Sequence, residues 1–239
     1  MPKLALIRHG QSQWNLENRF TGWVDVNLTS EGEKQATKSG ELLKASEIKF
    51  SQCFTSFQTR AIRTLWLSLT AMGQCYLPEK KSWRLNERHY GALTGLDKTE
   101  TAQKHGDEQV RIWRRSYDIA PPPLSKDDEF HPANDARYDD VPQNELPDTE
   151  SLKTTLERVI PYWESDIVPA LKNGNVIIAA HGNSLRAIVK HLYNLNEDEI
   201  MQVEIPTGNP LLIDLDDNLK PISAKYLDDA RANPLPEVK

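Results

Sequence analysis

Disulfide chemistry is the first thing this sequence lacks: its 239 residues contain two cysteines, Cys53 and Cys75. Two thiols cannot make a disulfide framework, and neither stands in a CxxC pair. A reducing, cytoplasmic setting is the resulting expectation. Long hydrophobic runs are also missing, so no stretch reaches the length that spans a bilayer. The opening MPKLALIRHG shows no cleavable apolar leader. Basic excess is absent too: Lys and Arg number 29 against 35 Asp and Glu, a formal net charge of −6. A general nucleic-acid binder shows a basic face, so neither nucleic acid nor membrane is an expected partner. There is no low-complexity tract and no fixed-period repeat. What remains is a globular composition, 38% hydrophobic and 27% charged, in a chain long enough for one sizeable core. A single domain over 1–239 is expected. An acidic protein that handles an anionic ligand must gather its arginines in one place.

The apolar residues 5–7, extended back to Lys3, predict a strand buried on both faces. In LTSEGEKQATKSGELLKAS, Ser30 and Glu33 have capping-box spacing and predict a helix to about residue 46. A short strand is expected near 52–55. TRAIRTLWLSLTAM then sets Ile62, Leu65, Leu69 and Met72 on one helical stripe. Another brief strand is expected near 75–77 and surface helices within 99–113. Residues 118–147 open with APPPL and carry no periodicity. So long an irregular stretch in a compact domain is usually functional, and it is expected to pass over an active site. The segment 148–174 places Leu152, Leu156, Val159, Trp163, Ile167 and Leu171 at helical spacing, interrupted by Pro161 and Pro169. NVIIAAHGNSLRAIVKHLYN reads as strand then helix, and NPLLIDLD as a further strand. Strands alternating with helices imply an α/β fold with a largely parallel sheet covered on both faces.

Two segments share one plan. ALIRHGQS and IIAAHGNS each run from an apolar strand into His-Gly, with a serine three residues after the histidine. In open α/β sheets ligands sit beyond the carboxyl ends of strands, so His9 and His181 can meet across one crevice. Gly10 and Gly182 would let backbone amides approach a ligand there. A metal site is disfavoured because the Arg8 guanidinium beside His9 would repel the ion. Arg8 instead suits an anion, since its planar fork matches phosphate oxygens and stays charged. The same cation should disfavour imidazolium and leave His9 neutral and nucleophilic. Phosphoryl transfer needs alignment and charge neutralisation above all. His105, His131 and His191 lie in no motif and read as surface residues, and Trp14, Trp23 and Trp83 as pocket walls.

On these residues the chain resembles the phosphoglycerate mutase family of the histidine phosphatase superfamily. The likeness runs through LIRHGQSQWN, FTGWVDVNLT, TRAIRTL, SWRLNERHYGALTG, WRRSYD, AAHGNSLRA and IPTGNPLLIDLD, nearly the whole length. RHG alone fits any branch, whereas WRLNERHYG joined to the Arg114 and Arg115 pair is specific to the mutases. The resemblance implies a three-layer α/β sandwich with a mostly parallel central sheet. It implies that His9 becomes phosphohistidine, that His181 stabilises the moving phosphoryl group and that Arg8 and Arg60 clamp it. Glu87 would exchange a proton with the substrate oxygen. Ser12, Asn15, Gly182 and Asn183 would line the same pocket. Thr21, Gly22, Arg88, His89, Tyr90, Lys98, Arg114 and Arg115 would hold the carboxylate and distal phosphate of a sugar acid.

The resemblance further implies 2,3-bisphosphoglycerate as primer, no metal, and a homodimer or homotetramer. Two departures stand out: Thr94 where the family often has glutamine, and a short tail from about residue 228, where the family's tail can cover the site. A phosphatase, a bisphosphoglycerate synthase or a non-catalytic binding protein could keep much of this set. The second basic cluster of Lys98, Arg114 and Arg115 favours a mutase over a phosphatase.

Overall fold

Leu4, Ala5, Leu6 and Ile7 are all fully buried in the first strand, β1 (Lys3–Arg8). Successive side chains of a strand point to opposite faces, and here they enter two different cores. Leu4 and Leu6 join one apolar cluster, Ala5 and Ile7 the other. The remaining strands are β2 (Phe50–Thr55), β3 (Glu79–Lys81), β4 (Asn175–Ala180), β5 (Leu211–Leu215) and β6 (Pro221–Tyr226). The computed structural model describes residues 1–237, so the last two residues of the expected tail lie outside it.

The sheet has the order β3-β2-β4-β1-β5-β6. β3, β2, β4 and β1 run parallel, while β5 pairs antiparallel with β1 and β6 with β5. A short turn joins β5 to β6, and only antiparallel neighbours can be joined that way. The helices are α1 (Gln13–Leu16), α2 (Ser30–Ala45), α3 (Thr59–Met72), α4 (Lys98–His105), α5 (Asp107–Arg115), α6 (Leu152–Tyr162), α7 (Val168–Asn173), α8 (Gly182–Tyr193) and α9 (Glu197–Gln202). α2 and α3 cover one face through Leu43, Leu65 and Leu69. α6 and α8 cover the other through Val159, Leu185 and Ile188.

Several local expectations shift. The strand expected near 75–77 is a turn, and the edge strand begins at Glu79. Thr29, not Ser30, caps α2, its hydroxyl accepting the Gly32 amide at 3.1 Å. The long helical segment divides into α6, a wide turn at Trp163–Ile167 and α7, with Pro161 inside α6 and Pro169 in the first turn of α7. The chain stays helical through the wide turn, where the Val168 amide donates to the Trp163 carbonyl five residues back, just before Pro169, which has no amide to give. His131 is not a surface residue: it is buried, with Nε2 2.9 Å from Asp148. His191, by contrast, is exposed as expected, its ring centroid 6.2 Å from that of Trp163.

Candidate active site

The register of the central strands decides where the chemistry meets. Arg8 pairs with Ala180, so the residues that follow, His9 and His181, leave the sheet side by side. The His9 amide donates to the Ala180 carbonyl at 3.0 Å, and the two ring centroids lie 5.0 Å apart with planes inclined at 61°. Both rings are buried. Nδ1 of His9 lies 2.7 Å from the Gly10 carbonyl oxygen. A carbonyl can only accept, so this nitrogen carries the proton and Nε2 keeps its lone pair. His181 is held from the other side, with Nε2 2.8 Å from the Ser56 hydroxyl and Nδ1 buried without a hydrogen-bond partner among the described residues.

Both imidazoles are held well below their usual pKa. For His9 burial is the main cause, Arg60 the second and Arg8 the third. Arg8 therefore contributes to neutrality without being its chief source. For His181 burial again leads, followed by Arg60 and His9. Arg60 sits in the first turn of α3, almost fully buried, and donates from Nη1 to the Val24 carbonyl at 2.9 Å and from Nη2 to that of Gly22 at 2.8 Å. Gly22 adopts φ +53, a left-handed conformation that favours glycine. Burial lowers Arg60 to about 10, which leaves it cationic at neutral pH. Arg8 donates from Nη1 to Ile205, while its Nε is buried and unpartnered among the described residues. Buried polar groups left this way are costly until a partner meets them, and two of them here, on Arg8 and His181, belong to the groups around His9.

Glu87 approaches from the loop between β3 and α4. Its carboxylate Oε1 accepts the amides of Arg88 at 2.7 Å and Asn183 at 3.1 Å. Its backbone is fixed by Gln58, whose Oε1 accepts the Glu87 amide at 2.8 Å, and by the Trp23 indole, which donates to the Glu87 carbonyl at 2.6 Å. Behind the loop runs a buried ion pair, Arg158 to Glu150 at 2.6 Å. The same guanidinium donates to the carbonyls of Arg84, Asn86 and Glu87, and Glu150 accepts the His89 amide at 2.8 Å. Residues 118–147 brace this loop. Tyr138 packs on Trp23 at 4.9 Å between centroids and accepts from Asn86 Nδ2 at 2.8 Å.

Two small chambers of about 100 Å³ each lie over these groups. The first is lined by Arg8, His9, Asn15, Thr21, Gly22, Arg60, Glu87, Tyr90, Lys98 and Arg114, together with Arg19 and Phe20. The second shares Arg8, Glu87, Tyr90 and Arg114 and adds Arg115, Gly182, Asn183, Arg186, Glu204 and Ile205. Burial is the leading reason that Lys98 falls below its usual pKa. Burial, the largest single cause, would raise Tyr90, but Arg88, whose guanidinium lies over the ring at 4.7 Å, and Arg114 act the other way and the hydroxyl ends lowered.

Not every expected residue lines these chambers. Ser12 caps α1, accepting the Asn15 amide at 3.3 Å. Arg88 is buried and donates to the Arg114 carbonyl at 3.0 Å. His89 is buried against Trp23 and His131, its Nδ1 accepting the Gly91 amide, and burial depresses it to about 3. Trp14, Trp23 and Trp83 are absent from both linings. Gly10 also has a different task from the one expected. A Cβ there would stand 2.2 Å from the Gly32 carbonyl oxygen, so this glycine lets the turn pack on α2.

Ser56, Gln58, Glu150, Arg158 and Arg186 escaped the reading of motifs. Ser56 and Gln58 had a signal, since TSFQTR is a third strand end beside the same crevice. A roomier hollow of about 770 Å³ beside Trp163, Lys172, His191 and residues 217–221 contains no arginine and no strand-end histidine. Among the described residues, no group of three or more His, Cys, Asp or Glu is placed to hold a metal ion. No helix among them is long and apolar enough to cross a membrane.

Comparison with known proteins agrees with this geometry. The histidine phosphatase superfamily (branch 1) matches over residues 4–132 and 125–224. A 2,3-bisphosphoglycerate-dependent phosphoglycerate mutase of Caulobacter sp. (strain K31) is 66% identical, covering 100% of both chains. The protein of that description from Hyphomonas neptunium is 60% identical over the same span. Among solved structures, a mycobacterial glucosyl-3-phosphoglycerate phosphatase superposes with a TM-score of 0.71 at 18% identity, over 95% of this chain and 97% of the other. At that identity the likeness concerns the fold alone.

Proposed function

The chain belongs to the 2,3-bisphosphoglycerate-dependent phosphoglycerate mutases of the histidine phosphatase superfamily, and from that premise we infer that it interconverts 3-phosphoglycerate and 2-phosphoglycerate through a phosphorylated His9. The observation that carries the reading is the pair of buried, neutral imidazoles, His9 with an open Nε2 and His181 beside it, set among Arg8 and Arg60.

The phosphoryl group on His9 Nε2 passes to the free hydroxyl of the bound monophosphate. The N–P bond breaks, an O–P bond forms and Glu87 takes the hydroxyl proton. The resulting 2,3-bisphosphoglycerate reorients, and the lone pair of His9 Nε2 takes the other phosphoryl group while Glu87 returns the proton to the leaving oxygen. Arg8, Arg60 and His181 neutralise the charge that moves. Lys98, Arg114 and Arg115, at the ends of α4 and α5, hold the far end of the molecule. The two adjacent cationic chambers, which share Arg8, Glu87, Tyr90 and Arg114, suit a short acid with charge at both ends, and 2,3-bisphosphoglycerate supplies the priming phosphoryl group. The scheme uses no metal. A single domain, a cytoplasmic setting and assembly as a homodimer or homotetramer complete the proposal.

The test measures isomer formation against phosphate release, with and without added 2,3-bisphosphoglycerate and with a chelator. Primer-dependent, chelator-indifferent isomerisation is expected. Phosphate release exceeding isomerisation makes the chain a phosphatase. Faster turnover of 1,3-bisphosphoglycerate makes it a synthase.

A further inference from the structure

Ser56 follows the last residue of β2, and the pairing of Thr55 with Ala179 brings it beside His181. It is completely buried. Its hydroxyl makes two hydrogen bonds among the described residues: it accepts the Gln58 amide at 3.1 Å, and it lies 2.8 Å from His181 Nε2. The amide can only donate, so the single hydroxyl hydrogen has one acceptor within reach, Nε2 of the ring. Pointing it elsewhere would leave a buried donor unsatisfied.

His181 is neutral because burial and Arg60 disfavour its charged form. A neutral ring that accepts at Nε2 carries its proton on Nδ1. That nitrogen is fully buried and unpartnered among the described residues, in a ring 5.0 Å from that of His9. We propose that Ser56 is a positioning residue that locks His181 in the Nδ1–H tautomer, so that Nδ1–H is presented as a donor to the phosphoryl oxygens at His9. The proposal rests on the phosphoryl-transfer reading above.

His9 and His181 then share one tautomer but are held at opposite nitrogens. The protein occupies Nδ1–H of His9 and leaves a lone pair. It occupies Nε2 of His181 and leaves a proton. Two copies of one motif thereby become a nucleophile and a hydrogen-bond donor.

The experiment is long-range 1H–15N NMR of the full chain labelled on histidine, with Ser56→Ala and Ser56→Thr alongside. Wild-type His181 should carry its proton on Nδ1, and a ring protonated on Nε2 overturns the proposal with no variant needed. Ser56→Ala should lose the tautomer preference and reduce kcat by about 10- to 100-fold, the range that outer hydrogen-bond partners carry, with KM nearly unchanged. Ser56→Thr, which keeps the hydroxyl, should restore both. An Ala variant with unaltered tautomer and kcat overturns the lock. A wild-type protein with the Nδ1–H tautomer but no mutase activity counts against the functional reading and leaves the lock standing.

Discussion

The turns after β1 and β4 carry the same His-Gly plan, end on neighbouring parallel strands and hold neutral rings, yet the fold uses them differently. At the first, Nδ1–H is occupied by the adjacent carbonyl and the glycine is pressed against α2. At the second, Nε2 is occupied by a hydroxyl from a third strand, and a Cβ on Gly182 would meet Arg8 at an ordinary 3.5 Å. The lesson is that a repeated motif specifies position, whereas role comes from the partner that occupies the remaining nitrogen.

Removing the rings breaks the comparison most sharply. His9→Ala should abolish isomerisation and acid-labile labelling together, because no other group takes the phosphoryl. His181→Ala should keep labelling detectable but lower kcat by roughly 10²- to 10³-fold, the loss that follows removal of one donor to developing charge. Single-turnover labelling with 2,3-bisphosphoglycerate reads both.

The glycines give a smaller contrast, in stability. Gly10→Ala forces backbone apart at Gly32 and should cost roughly 1–3 kcal/mol, seen as a lower urea midpoint. Gly182→Ala should leave that midpoint near the wild-type value. Equal losses at both positions would mean that the two turns are packed alike.

What the turns share is sharpened by pH. The unfolded rings of His9, His181 and also His89 take up protons near pH 6.5, whereas the folded rings resist protonation, His89 until about 3. Below the ordinary imidazole value the unfolded state binds more protons. Stability is therefore fully present above about pH 6.5 and declines as pH falls, by at most about 1.4 kcal/mol per pH unit for each ring. Urea titrations from pH 7 to pH 5 check the sign. A flat profile would show that the rings are less buried than described.

Much of this was legible because a strand buried on both faces has an unmistakable apolar run. β1 and β4 announced themselves, and with them the placing of both histidines. β3 was misplaced because Glu79–Lys81 carries no apolar signal. β6 went unseen because Ile222, Ser223 and Lys225 face solvent at the sheet edge. Ser56 stands at a strand end with a sequence signal, but its pairing with His181 was illegible for a different reason: it comes from the register of β2 on β4, which local sequence does not encode. The Arg158 and Glu150 pair behind Glu87 likewise joins residues whose meaning appears only once α6 packs against the loop.

The central claim concerns which of the two matched rings holds the phosphoryl group. Peptide mapping of protein incubated with 2,3-bisphosphoglycerate, quenched in base, tests it directly. The account predicts phosphohistidine at His9, with the label discharged by 3-phosphoglycerate as 2-phosphoglycerate appears. Label at His181, or isomerisation by a protein that never carries label, would contradict it.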